Sequence, residues 1–306
     1  MWIKEPGEIN DRLVFLGTQK NNLYLVKGDR YMLIGGGGQW IVPELARQIR
    51  DYQIDMDRVH YLFIGHSHYD HCGAVPYLRK RYPHIKVLAS QGAVKLFGME
   101  KAVKNMRTFS RQVMENLGYP MEFEGISLEF DGVTVDRGLK DGERIDLGND
   151  LCFDVFETPG HSRCAMTAYA PRQKWLFPSD SLCIPVDDAD KFVSTASESF
   201  VTYLDSLKKL EKLDVHLCAW EHHGVMTDGD ALDIIKRGIR FSLDYRRRIL
   251  NLLEETGDSE QVAHWVTKNW LDRTGFDFLP YDIMLYISRE MVEKAVEEKI
   301  EESKYL

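Results

Sequence analysis

Nowhere in the 306 residues is there an apolar run of about 18, the length that crosses a bilayer, so no membrane span is expected. The opening residues Met1-Trp2-Ile3-Lys4-Glu5-Pro6 lack the basic-then-apolar order of a secretion signal. Long Lys/Arg blocks are missing as well. Acidic residues outnumber basic ones, 48 to 39, for a net charge of −9, which disfavours a nucleic-acid partner held through its phosphates. The short stretch Arg246-Arg247-Arg248 reads as a solvated helix face. Cysteines number only five (Cys72, Cys152, Cys164, Cys183 and Cys218), and no pair stands in Cys-x-x-Cys spacing. That argues against a disulfide framework or a zinc knuckle and suits reduced, buried thiols in a cytoplasmic protein. Short internal repeats and low-complexity linkers are absent too.

What is present is core material: 44% of residues are hydrophobic and 28% charged, the balance of a globular chain. Short β-prone runs stand at 12–16, 22–27 and 31–34. Gly35-Gly36-Gly37-Gly38 then breaks the pattern ahead of a helical stretch over 42–52. No Lys-Ser/Thr follows these glycines, so they read as a strand-to-helix turn and not as a phosphate cradle. Further strands are predicted at 61–64, 85–89, 126–135, 151–157, 167–169, 174–177 and 215–219, and helices at 74–81 and about 91–120. From about Ala231 apolar residues recur at spacings of three and four, the pattern of helices. Strand-rich halves with helices between them predict an α/β (α+β) fold, a four-layer αββα sandwich over residues 1–230 with a helical extension over 231–306.

The chemistry concentrates at His66-Ser67-His68-Tyr69-Asp70-His71, which places three imidazoles and a carboxylate in six residues directly after a strand. On such a loop His66 and His68 can converge on one ion while Asp70 and His71 turn towards a second. Imidazole and carboxylate suit Zn, Fe or Mn better than Ca or Mg. A lone histidine is usually structural, but four such groups in one loop are hard to explain as packing. Three more strand ends offer donors: His161 in Thr158-Pro159-Gly160-His161-Ser162, Asp180 in Pro178-Ser179-Asp180-Ser181, and a pair in Glu221-His222-His223-Gly224.

His-x-His-x-Asp-His, then Pro-Gly-His-Ser, then Ser-Asp, then a late His-Gly resembles the ordered pattern of the metallo-β-lactamase superfamily over residues 12–228. The resemblance implies two divalent ions, Zn or Fe and possibly Mn. His66, His68 and His161 would hold one; Asp70, His71 and one late histidine would hold the other; Asp180 would bridge. The family's late motif usually reads Gly-His-Gly, and the glycine after His223 favours His223, with His222 as the alternative. Gly35-Gly36 departs from the Asp-Thr-Gly of many members.

Within the superfamily, His-x-His-Tyr-Asp-His-Cys-Gly, Pro76-Tyr77-Leu78, Val87-Leu88-Ala89-Ser90 and Asp277-Phe278-Leu279-Pro280 are similar to the quinolone-signal response subfamily, thioesterases of 2-aminobenzoylacetyl-CoA. The similarity implies that the terminal helices cap the cleft. It also implies that an activated water attacks the thioester or ester carbonyl of a small acyl substrate, with Asp70 orienting it and taking its proton. Ser162, Tyr69, Phe276 and Phe278 are the candidate substrate contacts. A homodimer is admitted but marked by no motif. Two other readings stand beside this one: a lactonase or phosphodiesterase on the same site, and a regulatory protein that keeps the metals.

Overall fold

Strand Leu13–Gly17 shows how this molecule is layered. Side chains alternate across a strand, so Leu13 and Phe15 enter one core while Val14 and Leu16 enter another, and all four are buried. A strand apolar on both faces must be covered on both. The computed structural model, which describes residues 1–306, does this with two seven-stranded mixed sheets face to face and helices outside each.

The first sheet runs, edge to edge, Arg137–Leu139, Lys86–Ser90, Val59–Phe63, Tyr31–Ile34, Asn22–Lys27, Leu13–Gly17 and Gly7–Asn10. Its first four strands are mutually parallel and the rest antiparallel. The second runs Trp2–Ile3, Val225–Thr227, Leu217–Ala219, Trp175–Phe177, Met166–Ala170, Cys152–Glu157 and Arg144–Asp146. Only Trp175–Phe177 and Leu217–Ala219 pair in parallel. Between the sheets lie Phe15, Tyr24, Phe63, Phe153, Phe177 and their neighbours. Helices Val42–Asp51 and Glu100–Asn116 cover the outer face of the first sheet, and Phe200–Leu210 helps cover the second.

The predicted sandwich is therefore present, with local differences. The 91–120 stretch is two helices, Gln91–Phe97 and Glu100–Asn116. Of the strand expected at 126–135 only Ile126–Ser127 pairs, with Glu122–Phe123. The carbonyls of Leu128 and Phe130 are taken by the side chains of Gln39 and Arg107, at 3.0 and 2.8 Å, so no ladder needs them. The predicted C-terminal helices are Ile234–Thr256, Ser259–Thr274 and Tyr281–Glu297. They pack on one another and on Phe200–Leu210 through Ile239, Leu243, Val262, Val266, Leu285 and Met291. No helix is long and apolar enough to cross a membrane.

Candidate metal centre

Parallel strands place their following loops at one end of a sheet, and here both sheets deliver polar residues to the same place. Strand Val59–Phe63 leads into His66 and His68, then into the helical turn Tyr69–Cys72 with Asp70 and His71. Cys72 Sγ donates to the carbonyls of Ser67 and His68, at 3.7 and 3.2 Å, so this cysteine ties the loop down. From the second sheet come His161 after Cys152–Glu157, Asp180 in the turn Ser179–Ser181 after Trp175–Phe177, and His222 after Leu217–Ala219. Gly160 is required before His161. Its φ is +131°, and a Cβ would strike the backbone of Tyr203, because the helix beginning at Phe200 docks directly against it.

These seven residues form interlocking groups: His66, His68 and His161; Asp70, His71 and His222; and His66, His71 and Asp180. His161 Nε2 lies 3.2 Å from His66 Nε2 and 3.0 Å from His68 Nδ1. His222 Nε2 lies 3.0 Å from His71 Nε2, and Asp70 Oδ2 is 3.4 and 3.5 Å from the two. Asp180 stands between the triads, with Oδ2 3.2 Å from His71 Nε2 and 3.4 Å from His161 Nε2, and Oδ1 3.7 Å from His222 Nε2. A cavity of ≈ 1160 Å³ among Phe97, Val103, Arg107, Arg111 and Val133 contains none of these donors. Donor chemistry, and not cavity size, marks the site.

The partners on the far side of each ring decide what the near side offers. Nδ1 of His161 faces the carbonyl of Thr195 at 2.8 Å, and Nδ1 of His222 faces that of Lys20 at 2.6 Å. A carbonyl only accepts, so both rings carry their proton on Nδ1 and aim the Nε2 lone pair inward. His71 Nδ1 is 2.9 Å from the Glu221 carboxylate, which assigns its proton the same way. Lone pairs 3.0–3.2 Å apart repel unless a cation or a proton lies between them. Asp180 Oδ1, buried without a hydrogen-bond partner, makes the same demand. The donor set fits a pair of divalent cations, three imidazoles for one, two imidazoles and a carboxylate for the other, and Asp180 shared.

Electrostatics separate the rings. Burial, reinforced by the crowding of His71, His68 and His161, pushes His66 well below the usual imidazole range. Burial, with His161, takes His68 down to about 3, so both rings are neutral and able to donate at neutral pH. Burial would also discharge His71, but Asp180, Asp70 and Glu221 outweigh it and hold that ring's pKa well above its ordinary value. Desolvation would raise the Asp70 carboxyl; His71, by charge and hydrogen bond, and His222 bring it down to about 2. The same balance, led by His71 and His222, holds Asp180 ionised.

The late histidine corrects the sequence reading. His222, and not His223, meets the cluster. The chain leaves Leu217–Ala219 with the Trp220 carbonyl held by the Tyr24 hydroxyl and the Asn22 amide, and His223 then adopts the left-handed conformation, φ 59°. That turn throws the His223 ring away from the cluster onto Phe276, stacked at 5.3 Å, while its backbone N–H donates to Gln19 O at 2.7 Å. A following glycine does not reveal which of two adjacent rings such a turn sends inward.

The candidate substrate contacts are all buried. Phe276 and Phe278 form a wall against His222, at 4.7 and 5.9 Å between centroids, and Phe278 stacks on Trp40 at 5.0 Å. Tyr69 donates its hydroxyl to the Phe278 carbonyl at 3.1 Å, tying the first-sheet loop to the segment between the last two helices. Ser162 Oγ lies 3.2 Å from Cys164 Sγ inside its own loop, which gives it a turn role in this conformation. Sequence reasoning missed Glu221, Thr195 and Ser179, the last 3.2 Å from His66 Nδ1. Glu221 and Ser179 stand inside motifs already singled out, but nothing in the sequence marks their partners.

The model of the metallo-β-lactamase superfamily matches residues 16–222. The chain belongs to that superfamily. Metallo-β-lactamase fold-containing protein ST1585 of Sulfurisphaera tokodaii is 24% identical to it over 205 residues, 67% of this chain and 73% of that protein. A hydroxyacylglutathione hydrolase of Legionella pneumophila is 26% identical over 183 residues, 58% of this chain and 55% of the enzyme, so the match spans about half of that relative. Among solved structures, a metallo-β-lactamase family protein of Thermus thermophilus superposes with a TM-score of 0.62 at 16% identity, covering 96% of this chain and 93% of that one. Its near-complete coverage extends the structural likeness across the C-terminal helices. Membership of the metallo-β-lactamase superfamily and the His/Asp cluster together support a metal-dependent hydrolase with a dinuclear site.

Proposed function

We propose that this metallo-β-lactamase superfamily member hydrolyses the thioester or ester bond of a small, partly apolar acyl substrate. The observation that carries the reading is the convergence of inward-aimed imidazoles on two subsites joined by Asp180, beside an aromatic wall. His66, His68 and His161 would hold one cation, Asp70, His71 and His222 the other, with Asp180 shared. Bound there, such a pair supplies Lewis acidity and lowers the pKa of a water towards ~7. The remaining work falls to side chains. Asp70, kept ionised, orients the attacking water and accepts its proton. Phe276 and Phe278 keep bulk water from the His222 side and offer apolar surface to an acyl chain. The Legionella relative, a hydroxyacylglutathione hydrolase, favours an acyl bond over a phosphodiester. So does the absence of a basic cluster among the donors. His and Asp donors accept Zn, Fe(II) and Mn(II) alike.

The test is elemental analysis of protein purified without added metal, then a panel of acyl-CoA thioesters, lactones and bis-phosphoaryl esters with His68→Ala as control. Hydrolysis of thioesters lost in His68→Ala supports the proposal. A preference for lactones or phosphodiesters reassigns the substrate, and metal retention without turnover of any class favours a regulatory protein.

A further inference from the structure

Glu221 is 2% exposed and has no lysine or arginine beside it. A buried carboxylate without a cation is costly unless something charged or strongly hydrogen-bonding compensates it. The only side chain that bonds it is His71, whose Nδ1 lies 2.9 Å from Oε2. His71 in turn aims Nε2 at Asp70, Asp180 and His222. Glu221 therefore reaches the site through the Nδ1 side of one ring.

The surroundings are shaped for this carboxylate. A Cβ on Gly35 would fall 2.6 Å from Glu221 Oε2 and 2.9 Å from its Cδ. Gly35 also has a φ of +91°, which L side chains rarely adopt. Behind it, a Cβ on Gly65 would lie 3.2 Å from Glu221 Oε1 and 2.7 Å from Ser179 Cβ. Both glycines end strands of the first sheet, whereas Glu221 enters from the second. The slot beside His71 has room for one acid, and this chain fills it from the far side.

We propose that Glu221 is the positioning residue for the Asp70/His71/His222 cation, its carboxylate taking the slot that a side chain at position 35 would otherwise occupy. The inference rests on the two-cation reading above. In this chain glycine stands where many superfamily members carry Asp-Thr-Gly, and the carboxylate beside His71 comes instead from Glu221 after a strand of the second sheet. The Glu221 carboxylate fixes the His71 tautomer and ring angle and strengthens Nε2 as a donor.

The experiment compares wild type with Glu221→Ala, Glu221→Gln and the relocation variant Gly35→Asp/Glu221→Gly. Each is stripped, reloaded with Zn²⁺ and titrated with a chelator, while the apo form is melted to check folding. The expected result is that Glu221→Ala and Glu221→Gln hold one of the two ions about 10- to 100-fold less tightly, with the other unchanged. Gly35→Asp/Glu221→Gly should recover part of that loss, limited by the strain of a side chain at φ +91°, and a merely structural role for Glu221 would recover none. Should Glu221→Ala not fold, the near-isosteric Glu221→Gln decides. Wild type with two ions and Glu221→Gln matching it in both affinities overturns this inference alone. Wild type that binds no divalent ion overturns the functional reading and this one with it.

Discussion

The adjacent pair His222 and His223 offers a controlled experiment, because the two rings differ in chemistry and not in composition. His222 Nε2 is one of three donors facing the Asp70 subsite, whereas His223 Nε2 is buried with no partner at all. Removing even an outer hydrogen-bond partner of a ligand costs about 10- to 100-fold in metal affinity, so losing a donor should cost at least about 100-fold. At saturating metal that is about 2.7 kcal/mol of metal-dependent stability, or roughly 5 °C in the melting temperature of the loaded protein. His223→Phe, in contrast, keeps the stack on Phe276 and removes an unsatisfied buried nitrogen, whose desolvation costs about 1–3 kcal/mol. Its stability should hold or rise, and its metal content should stay at that of wild type. The assay is metal per chain together with melts in the presence of Zn²⁺ and of chelator for His222→Ala and His223→Phe. If His223→Phe loses an ion while His222→Ala keeps both, the geometry of this loop has been misread.

Three further outcomes follow from the same structure. Phe278→Ala empties a 2%-exposed site between Trp40, Phe276 and His222, and should lower apo-protein stability in urea by about 3 kcal/mol while admitting longer acyl chains; an unchanged midpoint would count against the wall. Gly160→Ala forces a Cβ into the Tyr203 backbone at φ +131° and should cost at least about 2 kcal/mol and loosen the His161 ion, as read by denaturation and chelator titration. Asp205 accepts from Lys304 Nζ at 2.6 Å and Tyr305 Oη at 2.7 Å; burial raises its carboxyl, but these bonds lower it further, below the usual value. A depressed carboxyl stabilises fully above about pH 4 and loses that contribution as pH falls through the lower folded value, so backbone exchange at residues 300–306 should accelerate there.

Legibility in the sequence followed local density. The loop His66–His71 was readable because four donors in six residues have no other economical explanation, and His161 and Asp180 because each follows an apolar run ending in a turn. The sandwich was readable from strands such as Leu13–Gly17, apolar on both faces. Less of one edge of the second sheet was visible: Trp2–Ile3 and Val225–Thr227 are two and three residues long, too short for a period of two to register. The choice of His222 depended on a backbone turn at His223 that side-chain identity does not encode. Glu221 was out of reach because its partner His71 stands 150 residues earlier, and the room it needs is carved by a glycine on the opposite sheet.

The donors arrive in a strict order along the chain, and the order has a consequence for how the protein is made. A nascent polypeptide that has passed residue 71 owns four of the seven ligands, yet the trio around His66 closes only at 161, the shared carboxylate comes at 180, and the trio around His71 waits for 222. A complete donor set is thus assembled only late in synthesis, in chains whose two halves have already found each other. Whatever cation then sits there acts as a rivet between them, and a truncated product ending before residue 222 has no complete Asp70 subsite for it to grip.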